Sequence, residues 1–212
     1  MPPLMIATAA ALCAAAAVLL TPWARGIVDS SSKWLHRWVP GVLGTIFGAG
    51  AALLAGHWAV LLALCVLAIG CALLIAVDLA VFRLPDMIVW PTTGLVLVLL
   101  LLAAIVTGEW GRFWTAVLAM LAVGAGYFIF AFISPASLGL GDVKLSLVLG
   151  LALGWFGWQA VFFGILGGFI VLALVAFALM AVRRASIKSD LAFGPWMIVG
   201  AAAGLAVATV GA

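Results

Sequence analysis

Two aspartates are the residues of this chain best placed to do chemistry. Asp142 stands in Gly139-Leu140-Gly141-Asp142-Val143-Lys144, and Asp78 closes a long apolar run, in a chain with only six acidic residues. A charge left unpaired within a bilayer costs about 2.5 kcal/mol or more, so an acid at membrane depth is a functional candidate by default. Two carboxylates can hydrolyse a peptide bond if one is ionised to take a proton from water and the other is protonated to donate to the carbonyl oxygen. Like charges held close, in a low-dielectric surrounding, favour such a shared proton near neutral pH, and the pair then titrates as a unit.

Each acid also has a structural explanation. Asp142 follows a glycine at a helix start, where an N-capping acid is favoured. Asp78 ends a helix, where the dipole is negative and an anion is disfavoured, so its structural alternative is a salt bridge to Arg83. Asp86, in Leu84-Pro85-Asp86, reads as a first-turn acid behind a proline at the first helical position. Glu109 sits in a turn and reads as solvated. Lys144 is two residues from Asp142, a spacing that does not face the two side chains together on a helix, and it reads as an interfacial anchor. Other catalytic sets are missing: there is no H-E-x-x-H and no G-x-S-x-G, and the two histidines, His36 and His57, fall at opposite ends of the spans. Cys13, Cys65 and Cys71 lack C-x-x-C spacing and read as buried small hydrophobes. No metal or cofactor is expected.

The elements that must position these acids are membrane spans. Hydrophobic residues make up 69% of the chain and charged residues 7%, against about 25% charged in an ordinary soluble domain. The expected fold is an all-α polytopic transmembrane bundle of about eight spans, forming one integral membrane domain. The apolar runs are Leu4 to Leu20, then Val42 to Val77 broken at Gly56-His57-Trp58, Met87 to Thr107 and Phe113 to Ile133. They continue as a short helix from Val143 to Phe156 and spans from Gln159 to Val182 and Phe193 to Val210. Gly44 and Gly48 have the small-xxx-small spacing that lets helices approach closely. The polar loops are Thr21 to Pro40, Asp78 to Asp86, the segment opening at Ser134-Pro135, and Arg183 to Asp190.

Charge placement tests this count. With eight spans, Arg25, Lys33, Arg37, Arg83, Lys144, Arg183, Arg184 and Lys188 share one side and Arg112 stands alone opposite. Such a bias marks the cytoplasmic side, so both termini lie outside and Asp78 and Asp142 sit at cytoplasmic helix ends. The net charge of +3 therefore reads as topology, not as nucleic-acid binding.

Gly139-Leu140-Gly141-Asp142-Val143-Lys144-Leu145 resembles the G-x-G-D-x-K-L signature of the type IV prepilin peptidase family. Asp78 through Leu84-Pro85-Asp86 resembles its other motif, an aspartate followed by I/L-P-D/N, and Phe193-Gly194-Pro195 resembles an F-G-P element near the family's end. Three motifs in order, from about residue 59 to 212, are far more specific than G-x-G-D alone, which presenilin-like proteases share. The resemblance implies an aspartic endopeptidase of the inner (plasma) membrane, removing the short basic leader of prepilins and pseudopilins at the cytoplasmic face. It implies Asp78 and Asp142 as the catalytic pair, residues 59–212 as the peptidase core, and residues 1–58 as two N-terminal spans with a cytoplasmic loop. Larger members carry an insertion with paired C-x-x-C motifs and methylate the new N-terminus; here the corresponding loop, Thr21 to Pro40, has no cysteine, so a peptidase without methylation is expected. Two other classes compete with this reading: a small transporter in which Asp78 and Asp142 relay protons or cations, and an inactive membrane scaffold. The relay predicts polar residues continuing across the bilayer, and the spans hold almost none.

Overall fold

In hydrocarbon no water pairs with the backbone, so each apolar run has to satisfy its N–H and C=O groups internally, as a helix. A computed structural model describes residues 2–30, 32–133, 138–181 and 192–210. The loops at Ser134-Pro135 and at Arg183 to Asp190 lie outside the described residues. Among the latter there are eight α-helices: α1 Pro3–Val28, α2 Trp38–Leu54, α3 Trp58–Val81, α4 Asp86–Thr107, α5 Trp110–Ile133, α6 Leu140–Trp155, α7 Trp158–Ala181 and α8 Gly194–Val210. The chain is an all-α membrane bundle. Five helices, α1, α3, α4, α5 and α7, are long and apolar enough to cross a bilayer. The others have 17, 16 and 17 residues and, at about 1.5 Å per residue, fall short of a hydrocarbon core of about 30 Å. Two of these short helices, α6 and α8, bring residues to the candidate site.

The first helix departs from expectation. Thr21-Pro22 does not end it; α1 continues to Val28 with Pro22 inside. A proline in a membrane helix is tolerated where a neighbouring hydroxyl and packing satisfy the local backbone. Here the buried Thr21 hydroxyl donates to the Ala17 carbonyl at 2.7 Å, beside the Val18 carbonyl that Pro22 leaves without its helical N–H. The helix ends at Asp29, whose φ of 45° is left-handed, so the polar loop is shorter than the sequence suggests. The other breaks fall where expected. His57 Nδ1 caps α3 by accepting the Ala59 N–H at 3.3 Å, and Gly157, with φ 103°, makes the left-handed turn between α6 and α7 that glycine allows.

Lipid tails are as apolar as leucine, so these helices associate by close packing more than by exclusion of water. Gly44 and Gly48 of α2 lie directly on α1: a Cβ at either would come within 2.8 Å of a backbone oxygen, that of Cys13 or of Ala9. Gly200 of α8 packs in the same way onto the backbone of Gly164 and Gly168 of α7. Gly200→Leu is expected to destabilise the protein by about 1–3 kcal/mol, because backbone cannot yield as a side chain does. A lowered unfolding temperature in detergent checks this. Large side chains such as Phe132 and Leu19 point outward, 81% and 77% exposed, as suits a lipid-facing surface. Of the five long helices α3 is the most enclosed by its neighbours, and this central helix carries Asp78.

Sequential helices alternate in direction. Arg25, Lys33, Arg37, Arg83 and Lys144 therefore gather at the end that holds Asp78 and Asp142, while Glu109 and Arg112 pair with each other at 3.4 Å at the opposite end.

Candidate active site

Asp78 lies in the last turn of α3 and is only 4% exposed. The helix stops soon after it, at Phe82, whose left-handed φ of 52° redirects the chain and leaves Arg83 exposed. The alternative salt bridge to Arg83 is not formed: among the described residues Asp78 pairs with no cation, and its Oδ2 accepts the backbone N–H of Gly194 at 3.1 Å. Gly194 is the first residue of α8, and Phe193 before it accepts the N–H groups of Trp196 and Met197 at 3.0 and 3.1 Å. Pro195 has no N–H to offer, so the donor at this helix start is Gly194. The positive end of α8 thus faces a carboxylate placed at the negative end of α3. A Cβ on Gly194 would lie 2.8 Å from Asp78 Oδ2; only glycine admits the approach.

Asp142 is the third residue of α6 and half-buried. Its Oδ2 accepts the N–H of Gly139 at 3.1 Å, the reach-back half of a capping box, with Gly139 at the N-cap and the acid three residues later. The structural explanation of this acid thus holds for one oxygen. No protein donor among the described residues reaches its Oδ1. Gly141 makes room for Leu84: a Cβ there would sit 3.1 Å from the Leu84 Cβ, and Leu84 is buried. At Gly139 a Cβ would meet only ordinary contacts, 3.6 Å from Asp142 Oδ2, and packing does not explain the glycine.

Two expectations change here. Lys144 is more than an interfacial anchor, because its Nζ bonds both oxygens of Asp86, at 2.6 and 2.8 Å. Asp86 does begin α4, but Pro85 is the N-cap and not the first helical residue. The pair ties the start of α4 to that of α6. Its side chains are 57% and 30% exposed, so solvent screening limits it to about 1 kcal/mol or less. Lys144→Gln and Asp86→Asn are therefore expected to lower activity only a few-fold, with a loss that shrinks in high salt; proteolysis rates at two ionic strengths check this.

The segments carrying Asp78, Asp142 and Phe193-Gly194-Pro195 thus meet at one end of the bundle, close enough for the Asp142 charge to act on Asp78. A residue that the sequence reading passed over joins them. Tyr127 of α5 is the single tyrosine of the chain and is 4% exposed. Its ring stacks on Phe169 at 5.7 Å and on Phe193 at 6.1 Å, and the Asp142 charge acts on it too. The available signal was a lone polar-tipped aromatic deep in an apolar span, where a phenol needs a partner.

No curated protein and no solved structure matches the chain significantly. The sequence model of the type IV leader peptidase family matches residues 65–182, a segment that contains Asp78, Asp86, Asp142 and Lys144 and stops short of Gly194. Because that match covers more than half of the chain, this multi-pass membrane protein belongs to the type IV leader peptidase family and is a protease of that general type.

Proposed function

We propose that the chain is an aspartic endopeptidase that cuts prepilins and pseudopilins at the junction of their basic leader and apolar helix, with Asp78 and Asp142 as the hydrolytic pair. The observation that carries this reading is that Asp78, held by the Gly194 N–H, and Asp142 lie at one end of the bundle within electrostatic reach of each other. One oxygen of each is held by a backbone donor, Gly194 for Asp78 and Gly139 for Asp142, and among the described residues no donor takes the other oxygen of either, where water and substrate would bind.

A water held by the pair loses a proton to the ionised aspartate as its oxygen adds to the scissile carbonyl carbon. The protonated aspartate donates to the carbonyl oxygen, giving a neutral tetrahedral diol. On collapse one carboxyl donates its proton to the amide nitrogen while the other carboxylate takes a proton from a diol hydroxyl, and the C–N bond breaks to give an amine and a carboxylic acid, so the pair ends with the single proton it began with. Holding the carboxylates with backbone donors fixes their geometry before substrate arrives, which is where much of the rate enhancement in such sites originates.

Access from the lipid side is supported by an apolar cleft of about 420 Å³ between α2, α3, α6 and α8. Its upper lining includes Cys71, Leu149 and Ile198, one or two turns below Asp78, Asp142 and Gly194 on the same helices. An apolar helix entering there keeps its basic leader among the polar ends of the bundle. The clustering of Arg25, Lys33, Arg37, Arg83 and Lys144 at that end supports a cytoplasmic orientation in the inner membrane.

The relay reading finds no matching observation. The buried hydroxyls of Thr21, Thr92, Thr93 and Ser146 each donate to a carbonyl of their own helix. Among the described residues no polar chain leads from the two acids across the bilayer. The deciding experiment incubates the purified protein, in detergent or lipid, with a single-span substrate bearing a short basic leader. Mass spectrometry is expected to find one cut at the leader junction, absent in the Asp78→Asn and Asp142→Asn variants; full cutting by both variants would overturn the mechanism.

A further inference from the structure

We propose that Tyr127 is a catalytic residue, its hydroxyl donating a hydrogen bond to the scissile carbonyl oxygen alongside the aspartate pair. This rests on the reading of Asp78 and Asp142 as that pair and adds to it a third group, brought by a different helix.

Helix register places Tyr127 at the right depth. Helices α5 and α6 run antiparallel, with Gly154 against Ala116, Gly150 against Ala119 and Met120, and Leu147 against Gly124. One further turn brings Val143 and its neighbour Asp142 level with Tyr127. The lateral position is fixed by stacking: the ring lies on Phe193, the residue before the Gly194 whose N–H holds Asp78. Tyr127 is thus bracketed by the immediate surroundings of both aspartates, on α5, a helix that contributes nothing else to the site.

Its hydroxyl is also uncommitted among the described residues. Tyr127 is buried, yet among the described residues its hydroxyl makes no hydrogen bond, whereas the buried hydroxyls of Thr21, Thr92, Thr93 and Ser146 all do. Nothing among the described residues competes for this O–H, so it can donate to a ligand or water. As water adds to the peptide carbonyl, negative charge grows on its oxygen, and an oriented O–H in a site shielded from bulk water stabilises that charge more than it stabilises the ground state. The phenol keeps its proton throughout; it shares charge and transfers nothing.

Tyr127→Phe keeps the ring and its stacking and removes only the hydroxyl. With the leader-bearing substrate, kcat is expected to fall about 100-fold and KM to stay within about twofold, as for loss of one oxyanion donor, with the unfolding temperature unchanged. Phe169→Leu, which loosens the stack but keeps the hydroxyl, is expected to lower the unfolding temperature and leave kcat within about fivefold of wild type. A wild-type kcat in Tyr127→Phe, or an equal loss of kcat in Phe169→Leu, overturns the proposal. Asp142→Asn runs in the same assay. If it is silent while Tyr127→Phe cuts at the wild-type rate, only the role of Tyr127 fails; if it cuts normally, the aspartate pair fails and the tyrosine with it.

Discussion

Asp78→Asn and Asp142→Asn are each expected to reduce cleavage by at least about 1,000-fold, and the double variant to be no worse than either alone. Asparagine keeps the size and hydrogen-bonding shape of aspartate, so the Gly194 and Gly139 donors at 3.1 Å still find an acceptor. What it cannot do is gain and lose a proton. General acid–base groups contribute about 10²- to 10⁴-fold each, and members of one catalytic unit are strongly non-additive, because losing either empties the mechanism. Stability should move the other way. Asp78 is almost fully buried with a second carboxylate in electrostatic reach, so removing its charge removes a desolvation cost that nothing but function requires. The unfolding temperature of Asp78→Asn in detergent is expected to equal or exceed that of wild type. A silent variant that unfolds more readily would instead indicate that Asp78 holds the bundle together.

Gly194→Ala is expected to lower kcat/KM by about 100-fold through a single methyl group. The added Cβ would lie 2.8 Å from Asp78 Oδ2 and 3.5 Å from Leu145 Cδ2. The atom that must give way is the oxygen that the Gly194 N–H positions. Displacing a reacting group by about 1 Å costs on the order of 100-fold, and here the displacement also lengthens the 3.1 Å bond. The backbone of Gly194 is ordinary helix, so the loss does not come from conformational strain, and the unfolding temperature should change little. Gly141→Ala is the natural comparison: its Cβ would meet the Leu84 Cβ at 3.1 Å, a carbon with no part in the proposed chemistry, and a milder effect on activity follows. Equal activity of Gly194→Ala and wild type would remove the α8 N-terminus from the site.

Much of the architecture was legible because the bilayer imposes a strict rule. Apolar runs have to become helices, and breaks such as Gly56-His57 and Phe156-Gly157 fell where turn residues interrupt them. The small-residue spacing at Gly44 and Gly48 foretold close packing and met it on α1. Thr21-Pro22 misled because proline is a breaker in water, whereas in lipid the backbone has no alternative partner and the helix continued to Val28.

The sequence by itself singled out the residues proposed to carry chemistry: two acids stand out where acids are expensive, and the motif around them is local in the chain. Only the tertiary structure decided what surrounds them. Gly194 lies 116 residues from Asp78, Lys144 lies 58 from Asp86, and Tyr127 reaches the site through the antiparallel register of α5 on α6. Spacing along a chain reports contacts within one helix, where neighbours recur every three or four residues. Contacts between helices depend on which small residues let two backbones approach and at what depth, and that is settled only when the whole bundle packs.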